Sequence, residues 1–208
     1  MRLTVPPPIQ FLDAASLFCM VDHELELVEP HARYIDDMVA SCQHPLTQRD
    51  MPTQAKTNRD SLLNFLDQHP RGRWQEDPTR QVAAAYMFWL RLRPDHNPAP
   101  PAVPMAGTIG LRLGHDENLL MYLGHIGYHV LPPVRGHHYA ERACRLLLPL
   151  ARAHGMKQLI ITCNPDNTPS RRTCERLGAR YIETVKLPRG NALYQQGDRE
   201  KCRYILDL

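Results

Sequence analysis

"PPVRGHHYAERACRLLL", residues 132–148, passes from two prolines through Arg135-Gly136 and a His-His pair into an apolar run of helical spacing. Just upstream, "LLMYLGHIGYHV" (119–130) is almost continuously apolar, the pattern of a strand buried on both faces. Strand, proline turn and helix start thus follow one another. The first backbone N–H groups of a helix have no intrahelical partner, and with the helix dipole they make a site suited to an anion such as a pyrophosphate. Past Arg135, Ala140, Ala143, Leu147, Leu150 and Ala151 recur at intervals of three and four, and Gly155 supplies the stop. Pro149 predicts a bend inside this helix.

Working outward, "ELELVEP" (24–30) alternates like a strand and "HARYIDDMVASC" follows with helical spacing. "TNRDSLLNFLDQH" predicts a second helix behind a cap at Thr57 or Asn58. "QVAAAYMFWLRLR" and "AGTIGLRLG" predict two strands joined by "PDHNPAPPAVPM", whose prolines suit an exposed loop rather than a central ladder. "KQLIIT" is a short buried strand, and "NTPSRRTCERLG" a helix with Thr168 as cap, Pro169 at its first position and Gly178 past its end. "ARYIETVKL" and "KCRYILDL" close the chain as strands. The order β-α-α-β-β-β-α-β-α-β-β, without internal repeats, predicts an α+β domain on a central sheet over residues 24–208, preceded by an N-terminal extension at 1–23.

Composition limits the function. A chain of 208 residues that is 43% hydrophobic supports one core. Its apolar runs fall short of the roughly 18 residues a membrane span needs, and three prolines interrupt the N-terminus before a secretory signal can form. The six cysteines are scattered without a C-x-x-C pair, which points to reduced thiols in the cytoplasm rather than disulfides or a zinc site. A net charge of +3 without a dense basic stripe argues against nucleic acid as a partner.

"V-L-P-P-V-R-G-H-H-Y-A" resembles the acyl-CoA pyrophosphate loop of the GNAT (GCN5-related) N-acetyltransferases, V-x-P-x-x-R-G-x-G-x-G/A. It matches at Val130, Pro132, Arg135, Gly136 and Ala140 and departs at His138, where the family has glycine. A second segment at the family's spacing, with Asn167, Ser170, Cys174, Gly178 and Ala179, resembles N-x-x-A/S-x-x-x-Y-x-x-x-G-F. The resemblance covers residues 24–208, is strongest from 119 to 180, and points to a bacterial branch whose breadth leaves the acceptor open. It implies the GNAT fold, a mixed and mostly antiparallel sheet flanked by helices. It also implies acetyl-CoA as co-substrate, held by Val130, Leu131, Arg135, Gly136, His137, His138, Tyr139, Ala140, Asn167, Ser170 and Arg171.

The activity this implies is direct transfer of acetyl from the CoA thioester to a primary amine of a small molecule, peptide or protein. The oxyanion donor is expected among the backbone N–H groups near Val130 or Leu131. His125 is the candidate base because relatives carry a carboxylate on this strand and an imidazole titrates near neutrality; a packed structural histidine is the competing reading. Glu183 or a water chain is an alternative base. Cys174 stands where relatives have the tyrosine that protonates the leaving thiolate. A helix start is expected to have ordinary φ/ψ values, so that His138 replaces glycine without backbone strain. His137 and His138 point about 100° apart, and His125 and His129 have no acidic or cysteine ligand at suitable spacing, so no metal is expected. The missing glycine and tyrosine also allow a second reading, a catalytically degenerate acyl-CoA sensor or partner-binding protein. Exposed sheet edges permit a homodimer.

Overall fold

The computed structural model describes residues 10–14, 18–77, 82–93 and 102–208. Most of the proline-rich connection expected to be an exposed loop lies outside these residues. The strands are β1 (Leu25–Val28), β2 (Arg73–Trp74), β3 (Ala84–Leu92), β4 (Met105–Leu113), β5 (Ile126–Val130), β6 (Gln158–Cys163), β7 (Arg180–Lys186) and β8 (Glu200–Asp207). The helices are α1 (Ile35–Cys42), α2 (Pro45–Asp50), α3 (Arg59–Gln68), α4 (Tyr139–Ala153), α5 (Thr168–Arg176) and α6 (Ala192–Gln195). One sheet runs β1-β3-β4-β5-β6-β8-β7, with β2 also paired to β3. Only β5 and β6 are parallel, joined through α4 as a parallel pair requires.

Period-two alternation sends the strands' side chains to two cores. Tyr86, Phe88, Ile109, Leu111, Ile126 and Ile161 pack against Ala143, Leu147, Leu150 and Ala151 of α4. On the opposite face Trp89 and Met105 meet Ile35, Met38 and Cys42 of α1, with Leu62, Phe65 and Leu66 of α3 against them. This second layer is short and leaves part of the sheet face open.

Local signals set most boundaries. Asn58 caps α3 by accepting from the Ser61 N–H, and the Ser61 hydroxyl accepts from the Asn58 N–H in return. The cap of α5 is Asn167 rather than Thr168, because the carboxamide one residue earlier reaches the Ser170 N–H; Pro169 therefore takes the second helical position. Helix α4 continues through Pro149 to Ala153, and Gly155 (φ 74°) terminates it. The described residues of the segment expected to be an extension pack on the domain. The Leu12 N–H donates to the Tyr86 hydroxyl at 2.6 Å, Ala14 and Met20 enter the main core, and Arg142 of α4 forks onto Asp22 and Glu24.

The apolar run 119–130 is not one doubly buried strand. Leu119–Leu123 forms a π-helical turn, started where the Asp116 carboxylate accepts the Leu119 N–H, and Gly124 (φ 69°) reverses the chain before β5 begins at Ile126. A short apolar run has no period that separates a buried turn from a strand. The consequence is functional: β5 is short and, past Ile126, only partly buried.

Candidate active site

The site begins at a strand junction. His125 is 2% exposed and joins β5 to β6 twice. Its backbone N–H donates to the Ile160 carbonyl at 2.7 Å, and its Nδ1 accepts from the Ile160 N–H at 2.8 Å. That fixes the tautomer: Nε2 carries the proton and donates to the Gly114 carbonyl at 3.2 Å. Both ring nitrogens are occupied, and burial holds the pKa below its usual value. The candidate base of the sequence therefore has no lone pair free for an amine in this geometry.

Beyond the junction the parallel strands meet at Ile126–Ile161 and then diverge. The gap is a fork of about 300 Å³ whose walls include Tyr128, Cys163, Asn167 and Ser170. The Leu131 N–H is spent on the Ala106 carbonyl of β4 at 2.8 Å. Because successive N–H groups of a strand point to opposite sides, the Val130 N–H faces the fork. Of the two donors expected here, Val130 is the free one. The Tyr128 hydroxyl lies 2.8 Å from the Ser170 hydroxyl, and burial raises its pKa so that it stays protonated. Cys174 is completely buried; its hydrogen bond to Cys163 and its burial raise its pKa, and the same hydrogen bond lowers that of Cys163.

At the open end, Arg135, Gly136, His137 and His138 are exposed and lead into α4. Among the described residues, no acceptor meets the backbone N–H groups from Gly136 to Ala140. The Arg135 Nε donates to the Val130 carbonyl at 3.1 Å. His138 departs from expectation, because its φ of 58° puts it in the left-handed region. The glycine usual here is thus a conformational requirement, and histidine, one of the side chains more often found in that region, carries some strain. Its Nδ1 accepts from Arg176 at 2.7 Å, turning the ring toward the end of α5. His138→Gly is expected to raise stability by about 1 kcal/mol in urea unfolding. A loss of stability instead would mean that the Arg176 contact outweighs the strain.

On the open sheet face a groove of about 380 Å³ runs over Ala85, Met87, Thr108, Gly110 and Gly127, between Trp74 and the turn at Leu119–Leu123. His129 and Arg112 line both this groove and the fork. His129 is exposed, and among the described residues its ring has no hydrogen-bond partner. The walls around it and the charge of Arg112 hold its pKa below the usual value, so the imidazole is neutral at physiological pH.

The family model described as "Acetyltransferase (GNAT) domain" matches residues 24–180. The chain belongs to the GNAT acetyltransferase family. Among solved structures, this GNAT chain is similar to the microcin C7 self-immunity acetyltransferase MccE in complex with acetyl-CoA and AMP, with a TM-score of 0.62 and 17% identity over 90% of this chain and 94% of that one. It is also similar to a putative ribosomal-protein-serine acetyltransferase from Vibrio cholerae, with a TM-score of 0.61 and 16% identity over 92% and 98%. A third is RimL, a ribosomal L7/L12 alpha-N-protein acetyltransferase in complex with coenzyme A, with a TM-score of 0.58 and 18% identity over 90% and 96%. No curated protein sequence matches significantly. At these identities the likeness concerns the fold.

Within the GNAT fold, the sequence-predicted residues separate into groups. Val130, Tyr139, Ala140 and the loop from Arg135 to His138 gather at the start of α4, and Asn167 and Ser170 stand across the fork. Arg171 turns away from the loop, donating to the Tyr204 hydroxyl at 3.3 Å and the Pro165 carbonyl at 3.3 Å. The arginine of α5 that reaches the loop is Arg176. Glu183 pairs with Arg203. Sequence reasoning did not assign a role to Tyr128 or Arg112, and considered His129 only as a metal ligand. Period-two alternation from Gly127 would have placed His129 on the open face, had the start of β5 been known. Among the described residues no group of three His, Cys, Asp or Glu side chains is placed to hold a metal, and no helix is long and apolar enough to cross a membrane.

Proposed function

We propose that the chain is an acetyl-CoA-dependent N-acetyltransferase that passes acetyl directly to a primary amine of a small molecule or peptide. The observation that supports this best is His129, an unbonded neutral imidazole at the junction of fork and groove. In this reading the free N–H groups from Gly136 to Ala140, at the positive end of α4, receive the pyrophosphate, and the pantetheine arm lies in the fork beside Asn167 and Ser170. His129 takes the proton from the attacking amine, directly or through one water. The Val130 N–H receives the oxyanion of the tetrahedral intermediate. As the C–S bond breaks, the Tyr128 hydroxyl donates a hydrogen bond to the departing thiolate, the part expected of Cys174. That thiolate is itself a tolerable anion, with a thiol pKa of roughly 8.5, so a weak donor suffices. An acetyl-CoA donor and six free cysteines suit the cytoplasm.

The test is calorimetric titration with acetyl-CoA, followed by CoA release with a panel of amines. Binding with amine-dependent release is the expected result. Binding without release from any amine would favour the acyl-CoA sensor, and absence of binding at millimolar acetyl-CoA would overturn both readings. A second check uses Cys163, which lines the fork with a lowered pKa. Its modification by N-ethylmaleimide is expected to slow about tenfold or more when CoA saturates the protein. An unchanged rate would place the cofactor elsewhere.

A further inference from the structure

Arg112 is the anomaly of the groove. Arg73, Arg142 and Arg203 are largely enclosed, and each pairs with a carboxylate. Arg112 has no such partner among the described residues. Its Nη1 donates to the carbonyls of Leu123 at 3.4 Å and Gly124 at 3.1 Å, which leaves the Nε–Nη2 edge without an acceptor. The guanidinium points its Nη1–Nη2 edge at β5 beside Gly127, where a Cβ would stand 3.1 Å from Nη2 and 3.2 Å from Nη1. Absence of a side chain at 127 is what admits it. An enclosed cation with a free planar edge is costly unless an anion completes it.

We propose that Arg112 receives the carboxylate of the acceptor, and that the acceptor is an amino acid or a close relative carrying amine and carboxylate within a few carbons of each other. The inference rests on the acetyltransferase reading for the amine half. Gly127 and His129 lie on the same face of β5, two residues or about 7 Å apart. A carboxylate on the free edge of Arg112 therefore puts an amine one to three carbons away beside His129 and the fork. The Nε–Nη2 edge matches the two oxygens of a carboxylate. A phosphate dianion would bring a second negative charge that this single guanidinium does not balance, toward a groove that also holds Asp116.

The experiment compares matched pairs on the wild-type protein: glycine with methylamine, β-alanine with ethylamine, and glutamate with 4-aminobutyrate. The last pair removes the carboxylate one carbon from the amine and keeps the one three carbons away. Turnover is read by CoA release, and binding in the presence of CoA by ligand-observed NMR, which needs no chemistry. The expected result is a preference of about 50-fold or more for the carboxylate-bearing member of the first two pairs. That preference should be lost in Arg112→Gln, with acetyl-CoA affinity retained as the check on folding. Equal binding and turnover of methylamine and glycine would overturn the inference whatever the variant does. Carboxylate-dependent binding without turnover would support it and count against the acetyltransferase reading, so the two fail separately.

Discussion

Replacing His129 with alanine is expected to lower kcat/KM for amine acetylation by about 10²–10³-fold while leaving the affinity for acetyl-CoA within a few-fold of wild type. The ring lines both the fork and the groove, and it makes no hydrogen bond that the fold needs. Its pKa is held below 6.5 by the surrounding walls and by Arg112, so the base form is already present at pH 7. The wild-type rate should therefore rise with pH through a value below 6.5, and that limb should vanish in the variant. A loss of less than fivefold with the pH limb intact would remove His129 from the reaction and return the role of base to water.

His125→Ala is expected to act on stability. The substitution empties a buried site and strands the Ile160 N–H and the Gly114 carbonyl, both of which the ring satisfies. A cost of about 3 kcal/mol follows, a fall in Tm of roughly 6–12 °C for a domain of this size. The effect carries a pH signature. The folded-state pKa is depressed by burial, so the unfolded chain binds the proton more readily. The contribution of His125 is full above its unfolded value of about 6.5 and is lost as pH falls below it. Urea unfolding at pH 7.5 and 5.5 should show a shallower pH dependence in the variant than in the wild type. A destabilisation under 0.5 kcal/mol would mean that the closed end of the fork does not depend on the ring.

The two histidines show why part of the site was legible and part was not. The signal at Arg135-Gly136 and the start of α4 is local: it rests on residues adjacent in sequence, and the helix does begin just past the loop, at Tyr139. The same holds for α3 and its Asn58 cap, and for the strands whose alternation spans several residues. His125 and His129, four residues apart in one apolar run, cannot be sorted that way. One becomes a fastener and the other stands free, because a π-helical turn and a positive φ at Gly124 shorten the strand before it starts.

The sequence by itself determined the α+β class, the order of the main elements and the family, since each rests on short-range periodicity, capping or motif spacing. Tertiary structure decided the rest. The left-handed His138, the fork beyond Ile126–Ile161, the sealed Cys174 and the unpaired edge of Arg112 over Gly127 depend on which segments, far apart in the chain, come to lie against one another. A residue's type states what its side chain can bond; whether that bond is already made depends on neighbours that only folding brings within reach.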